Sequence, residues 1–184
     1  RVCVGKGHDF FGVLSRSHRK SVANVFVIFG CEWGALRGGD YDREVIGNHR
    51  SAAQDRLAEA WHIAGVALRA LGRLEAALEH LHRAVRLAPG HARAWMSLGH
   101  VAADLDRPAA AEAYLREALA RAPELAEAHA SLGGVLTEAG RLAEAVAACD
   151  RALALRPGDA VAHWHRGVAH LLAGDFAAGW ADFE

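Results

Sequence analysis

Histidine dominates the side chains of this sequence that could do chemistry, with 12 copies in 184 residues. Imidazole binds transition metals and transfers protons near neutral pH, so clustered histidines would indicate a metal site or a general base. The closest groups are His80 with His82, and His163 with His165 and His170. Residues two positions apart on a helix point to different sides, and no carboxylate or cysteine accompanies His163 and His170 on their face. This spacing favours solvated surface histidines and predicts no metal site.

Nucleophilic side chains show no catalytic grouping. Ser97, Ser131 and Thr137 stand at ordinary positions of helical segments, without a base and an orienting acid. The segment Gly5-Lys6-Gly7 lacks the length and the Ser or Thr of a phosphate-binding loop. We therefore expect neither catalysis nor a cofactor in this chain.

The three cysteines, Cys3, Cys31 and Cys149, show no pairing pattern, and Cys149 falls where a small buried apolar residue is expected. A reducing compartment, the cytoplasm, fits this usage best. No apolar run reaches the length of about 18 residues that a membrane-spanning helix needs, so we expect no membrane contact. Residues 16–31, basic and then apolar, support one alternative: a signal that leads to the periplasm or to a membrane anchor.

Composition divides the chain near Ser51. Residues 51–184 contain 39 alanines, whereas residues 1–50 contain two. The first part has eight basic and five acidic residues and the second has 13 and 17, which together give the net charge of −1. Such a balance lacks the basic stripe of a nucleic-acid binder, so we exclude nucleic acid as a partner. Residues 1–50 are predicted to be disordered or poorly structured, since a lone strand at Val25–Phe29 would have no partner strand.

The elements that must position these side chains come from an internal repeat. The motif Trp-x-x-Ala/Leu-Gly returns every 34 residues with the same downstream companions. Self-similarity at that period predicts stacked supersecondary units. The units are residues 58–91, 92–125 and 126–159, with a truncated fourth at 160–184. The repeat landmarks are Trp61, Gly65, Ala77, Ala84, Pro89, Trp95, Gly99, Ala111, Ala118, Pro123, Gly133, Ala145, Ala152, Pro157 and Gly167.

Each unit has the pattern of two helices. In residues 58–91, apolar residues at helical spacing predict a first helix that ends at Gly72 and a second that starts near Leu74. A capping-box sequence at Ser51 puts the start of the first helix near Ala52.

Gly65 lies inside the first predicted helix, where glycine costs about 1 kcal/mol relative to alanine. We interpret it as a packing residue: together with Ala84 it lets the two helices of the unit approach closely. A larger side chain at such a contact typically costs about 1 to 3 kcal/mol.

This pattern resembles the tetratricopeptide repeat family over residues 51–184, and the agreement extends to eight spaced positions in three full units. The resemblance implies an all-α fold, an α-solenoid of antiparallel helix pairs wound into a right-handed superhelix of about three and a half repeats. It also implies a concave groove, lined by the first helix of each unit, that binds a partner peptide or domain. We therefore predict a protein-protein interaction scaffold without catalysis of its own.

By the same resemblance, the groove residues expected to contact a partner lie on the first helices. They are His62, Arg69, Arg93, Met96, His100, Trp164 and His165. The groove has no Asn, and no Lys follows Lys20, so the repeated Asn or the paired Lys and Arg by which some family members clamp a peptide are missing. Trp164 lies one place after the usual aromatic position and is expected to face the groove as a binding anchor. The alternative is that a further segment packs on it.

The last residues depart from the repeat. Gly179-Trp180 replaces the usual small residue and its neighbour, and Phe183-Glu184 follows. This ending resembles the final repeat of bacterial proteins that lead into a glycosyltransferase-like domain. The alternative function is therefore the non-catalytic N-terminal arm of such an enzyme, with the catalytic domain beyond residue 184. The chain lacks an initiator Met and is expected to be a piece of a longer protein, and the apolar surface of its truncated unit predicts some self-association.

Overall fold

The computed structural model describes residues 40–183, with side chains from residue 51 onward. Over that range the chain is helical and has no strand, which confirms the predicted all-α fold. The helices are α1 Asp40–Ala70, α2 Leu74–Leu87, α3 Ala92–Asp104, α4 Pro108–Arg121, α5 Ala126–Glu138, α6 Leu142–Leu155, α7 Ala160–Ala173 and α8 Phe176–Ala181. Within the described part, none is long and apolar enough to cross a bilayer. Disorder is predicted for residues 1–50, but residues 40–50 are helical. The rest of that prediction, together with the lone strand and the signal segment, falls on residues 1–39, which lie outside the described residues.

Helix α1 begins earlier than its sequence suggests. The capping-box sequence predicts a start near Ala52, but the helix begins at Asp40. No proline stands between residues 40 and 57, and a capping sequence permits a helix start without requiring one. The helical backbone therefore reaches into the part of the chain that composition assigns to the non-repeat region, while the compact unit of the repeats begins at Gln54.

The helices pack in the order in which they follow one another. Helices α3 with α4, α5 with α6 and α7 with α8 form pairs within units, and the first two of these pairs also contact the unit that follows. Tight turns join the two helices of a unit. Gly72 has the predicted left-handed conformation, with a φ of 71°, and Asp106 takes the same place in the second unit with a φ of 56°. Aspartate tolerates this region better than most residues, so the turn survives the loss of glycine.

In the first three units, the glycine inside the first helix is covered by one side chain from the second helix. A carbon added at Gly65 would lie 2.6 Å from Cγ of Leu81, and one added at Gly99 would lie 2.7 Å from Cγ of Leu115. The predicted close approach is therefore present. Its partner differs, because Leu81 contacts the glycine and Ala84 does not appear among the nearest atoms.

Small residues fill the space between the paired helices. The signature alanines are fully buried, namely Ala77, Ala84, Ala111, Ala118, Ala145 and Ala152. Cys149 is buried with them, as predicted, and burial raises the pKa of its thiol to about 11. A thiol that stays protonated at neutral pH is a packing residue and not a nucleophile.

Histidine replaces tryptophan at the aromatic position of the third and fourth units without loss of its hydrogen bond. In each case a ring N–H donates to the prolyl carbonyl six residues earlier, which fixes the loop before the helix. The bonds are Trp95 Nε1 to Pro89 (3.0 Å), His129 Nε2 to Pro123 (2.9 Å) and His163 Nε2 to Pro157 (3.0 Å). His129 and His163 are therefore structural.

Candidate functional site

Three of the predicted groove residues contact the first helix of a neighbouring unit. We call the surface of α1, α3, α5 and α7 that carries them the groove face. His62 Nε2 lies 3.0 Å from Ser97 Oγ, and His100 Nε2 lies 2.8 Å from Ser131 Oγ. At the third junction, a carbon added at Gly134 would lie 2.8 Å from the ring of His165. One histidine therefore stands at each of the three junctions between first helices.

Each junction histidine is partly buried, and burial favours the neutral form of its ring. Burial lowers the pKa of His62, His100 and His165, and the nearby Arg69 guanidinium adds to the effect on His100. Because Ser131 Oγ donates to the carbonyl of Glu127, the His100 ring must donate to Ser131 in return. These rings are neutral at neutral pH and serve the packing between units, and two of them, His62 and His100, also form a hydrogen bond across the junction.

This arrangement predicts a pH-dependent stability. The unfolded chain binds protons on these histidines below about pH 6.5, whereas the folded chain resists protonation, so the free energy of unfolding should decrease as the pH falls from about 7.5 to about 5.5. His163 acts in the opposite direction, because Asp182 raises its pKa. Urea denaturation at several pH values measures the slope, and His100→Gln, which keeps a donor for Ser131, should make the slope smaller. An unchanged slope would contradict the assignment.

Exposed apolar side chains occupy the two ends of the groove face. Ile63 and Val66 are exposed on α1, and Val161 and Trp164 are exposed on α7, with Trp164 58% accessible. The ring of Trp164 contacts Phe183 edge-on, at 5.4 Å between ring centroids. More than half of the Trp164 side chain is therefore exposed, while its role as a binding anchor stays a prediction.

Two charged residues of the groove face form ion pairs with residues of other helices or units. Arg69 donates two hydrogen bonds to the carboxylate of Asp104, at 2.6 and 3.3 Å, and Arg156 lies 3.2 Å from Glu127. Arg93 is exposed and forms no ion pair with any described residue. It is therefore the groove cation that is most available to an acidic partner.

Met96 requires a correction. The sequence places it among the groove residues, but its side chain is only 9% exposed and packs in the core with Ala128 and Leu132. The unit that follows covers it, because α5 lies directly against α3. Met96 is a packing residue between units and is not available to a partner.

One cluster of side chains, formed by Glu59, His62 and His91, is not evident from the sequence. His91 Nε2 lies 2.5 Å from Glu59 Oε2, while His62 Nδ1 lies 3.8 Å from Glu59 Oε1. Glu59 and His62 are three residues apart on one helix, a spacing visible in the sequence, but His91 lies 29 residues downstream of His62 at the start of α3. Only the packing of α3 beside α1 brings it to the other two.

Ser97 contacts His62, and His62 lies near Glu59, as the serine, histidine and acid do in a hydrolase triad. The geometry of these three residues does not support catalysis. The distance of 3.8 Å between His62 Nδ1 and Glu59 is too long for the hydrogen bond that orients a catalytic histidine. Ser97 is buried within α3, where the backbone N–H groups are used by the helix and none forms an oxyanion site. The hydroxyl instead forms a packing hydrogen bond with His62.

The repeat geometry agrees with a comparison to protein families. The model of the tetratricopeptide repeat matches residues 64–126 and 97–160, which together cover more than half of the chain. The chain is a tetratricopeptide repeat protein. The residues that characterise the family are therefore those described above: the glycines inside the first helices, the buried alanines and the prolines of the turns.

Three solved structures illustrate the similarity of the fold. MamA has a TM-score of 0.63 and 25% identity, over 74% of each chain. An O-GlcNAc transferase from Thermobaculum terrenum has a TM-score of 0.60 and 28% identity, over 70% of this chain but only 26% of the transferase. The first tetratricopeptide domain of Spaghetti (RPAP3), bound to an HSP90 peptide, has a TM-score of 0.61 and 20% identity, over 65% of this chain and 95% of the domain. No curated protein sequence matches the chain.

Proposed function

We propose that this tetratricopeptide repeat array is a protein-interaction scaffold whose groove face binds an extended peptide segment of a partner. The observation that carries the proposal is the exposure of Trp164 on a first helix, where the repeat places an aromatic residue one position earlier. Large aromatic residues that can be desolvated supply much of the energy of protein recognition. The peptide complex of Spaghetti, which shares the fold, supports this use of the architecture.

The distribution of side chains on the groove face indicates what kind of peptide would bind. Apolar residues stand at the ends, whereas the middle carries the hydrogen-bonded His100 and Ser131. A complementary peptide would have an apolar residue near each end and a polar segment between them. Arg93, exposed and without an ion pair among the described residues, would favour an acidic group close to the end at α1.

Replacing Trp164 with alanine is expected to weaken peptide binding at least about tenfold, which corresponds to about 1.4 kcal/mol, because the anchor loses its aromatic surface. Peptides selected from a random display library against the wild-type chain supply the ligands, and fluorescence anisotropy measures their Kd. Circular dichroism should show unchanged helicity, since the side chain of Trp164 is mostly in solvent.

Trp180 offers a matched control. It is 61% exposed, like Trp164, but it lies on α8, outside the helices that line the groove. Trp180→Ala should leave the affinity for the selected peptides unchanged. Equal losses for the two variants, or no loss for Trp164→Ala, would remove the groove face as the binding surface.

A second candidate function is the non-catalytic arm of a glycosyltransferase. The likeness to the O-GlcNAc transferase and the Gly179-Trp180 and Phe183-Glu184 pairs favour it. In this case Trp164 and Trp180 would both pack on an enzyme domain. The gene sequence downstream of the codon for Glu184 decides: a stop codon within one further repeat would exclude the arm, and a long segment of alternating strands and helices would favour it.

The last unit carries an exposed apolar surface, formed by Leu172, Phe176 and Trp180. We propose that this surface supports self-association where no other domain covers it.

The free thiol of Cys149 is buried and is compatible with a reducing compartment. We therefore propose a cytoplasmic location.

A further inference from the structure

Three ligand-type side chains meet where α1 passes the start of α3. Glu59 and His62 lie one helical turn apart on α1, and His91 is the N-cap residue of α3. One donor atom from each residue lies within 4.8 Å of the donors of the other two. Tetrahedral zinc sites have bond lengths of about 2.1 Å, which place their ligand atoms about 3.4 Å apart. The donors must therefore approach one another by side-chain rotation, and Glu59, which is half exposed, has the most freedom to do so.

The Nδ1 atom of His62 gives the cluster an independent reason to bind an ion. This nitrogen is buried and has no hydrogen-bond partner. A buried polar atom without a partner is costly in a folded protein and calls for an explanation. The other ring nitrogen, Nε2, is held by Ser97 Oγ at 3.0 Å. A metal-binding histidine has the same arrangement, with one nitrogen on the metal and the other fixed by a hydrogen bond.

We propose that Glu59, His62 and His91 bind one divalent transition-metal ion, and that zinc fits them best. Two imidazole nitrogens and one carboxylate oxygen form a common zinc ligand set, whereas calcium and magnesium prefer sites made of oxygen alone. Three protein ligands leave the fourth tetrahedral position to water or to a donor from a bound partner. The site lies on the groove face but does not depend on peptide binding.

Some neighbouring groups favour binding of the metal ion, and others disfavour it. The hydrogen bond from His91 lowers the pKa of Glu59, so a carboxylate charge is present at neutral pH. The Arg93 guanidinium acts on His62 as a neighbouring positive charge and would repel a cation. His91 Nδ1 accepts a hydrogen bond from the backbone N–H of Ala94, so binding through Nε2 moves the ring proton to Nδ1 and gives up this bond. The site should therefore be of moderate affinity and sensitive to both neighbours.

Titration of the purified chain with ZnCl₂ in chelator-free buffer tests the site. We expect one zinc ion per chain by calorimetry, a rise in the thermal midpoint with added zinc, and visible absorption of tetrahedral Co²⁺ when cobalt replaces zinc. Glu59→Gln and His91→Asn should each weaken zinc binding at least about tenfold. Asparagine is a good N-cap residue, so His91→Asn keeps the start of α3 while it removes the ligand.

Two further variants make the result specific. Arg93→Gln should tighten zinc binding, because it removes a positive charge that repels the ion. Non-specific zinc binding to exposed histidines elsewhere on the chain would not respond to this change. His82→Gln removes an exposed histidine of α2 and should leave the affinity unchanged. No binding by the wild-type chain, or equal affinity in the wild type, Glu59→Gln and His91→Asn, would overturn the proposal. Should His91→Asn fail to fold by circular dichroism, Glu59→Gln decides alone, since Glu59 is half exposed.

Discussion

Replacing Gly99 with leucine is expected to destabilise the whole array by at least about 3 kcal/mol, the upper end of the usual cost of overpacking. Gly99 is buried, and the first added carbon would already lie 2.7 Å from Cγ of Leu115 and 3.4 Å from the carbonyl oxygen of Ala111. Leu115 is itself fully buried and has no free space to retreat into. Because the units of a repeat protein stabilise one another only through neighbour contacts, damage at the second unit also weakens the first and third. Urea denaturation followed by circular dichroism measures the loss.

Gly90 provides the control for this prediction. A carbon added at Gly90 meets no atom within 4 Å, and its φ is not positive, so Gly90→Leu should change stability by no more than about 0.5 kcal/mol. The smaller substitution Gly99→Ala separates packing from helix propensity, since alanine is better than glycine in a helix by about 1 kcal/mol. A gain in stability for Gly99→Ala would mean that no close approach exists. The double variant with Leu115→Ala should lose less than the sum of its single variants.

Replacing Asp182 with alanine is expected to cost about 2 to 3 kcal/mol, concentrated in the fourth unit. The Asp182 side chain is only 4% exposed and accepts hydrogen bonds from Arg166 Nε at 2.9 Å and from His163 Nδ1 at 2.9 Å. The Arg166 guanidinium holds the pKa of Asp182 below its usual range, and the Asp182 carboxylate raises the pKa of His163. Loss of the carboxylate leaves Arg166 with one remaining partner, Asp150. Hydrogen exchange should show faster exchange in α7 and α8 and little change in α3 to α5.

Asp150→Ala is the matched control, because it removes the other carboxylate that contacts Arg166. The Asp150 side chain is 55% exposed, and an exposed ion pair contributes no more than about 1 kcal/mol. Equal losses for the two variants would contradict the role given to Asp182. A carboxyl whose folded pKa is lowered stabilises the protein above its unfolded pKa of about 4, so the difference between wild type and Asp182→Ala should shrink in more acidic solution.

The aromatic position of the repeat shows what the sequence alone leaves undetermined. The third and fourth units have His129 and His163 where the first two have Trp61 and Trp95. In the structure, His129 and His163 keep the hydrogen bond to the prolyl carbonyl that Trp95 makes. His163 also donates to Asp182 from its other nitrogen, which an indole ring cannot do. The function of the ring nitrogen, and not the size of the ring, is what these units retain.

Local patterns determined the fold of this protein. A helix is defined by residues three and four apart, and a unit by residues up to 34 apart, so periodicity along the chain predicts the second helix from Leu74, the turn at Gly72 and the packing role of Gly65. The exposure of Trp164 follows from the same periodicity, because the position of a residue in the repeat sets the direction of its side chain.

Contacts between helices that are distant in the sequence were decided only by the tertiary structure. Met96 is buried because it packs with Ala128 and Leu132 of α5, and His91 joins Glu59 and His62 because α3 packs beside α1. These outcomes depend on how far and at what angle successive helices pack, and on the length of the side chains between them. Sequence periodicity specifies which face of a helix turns toward its neighbour. It does not specify which atom on that face meets which atom of the neighbouring helix, and the candidate zinc site depends on such a meeting of His91 with the other two residues.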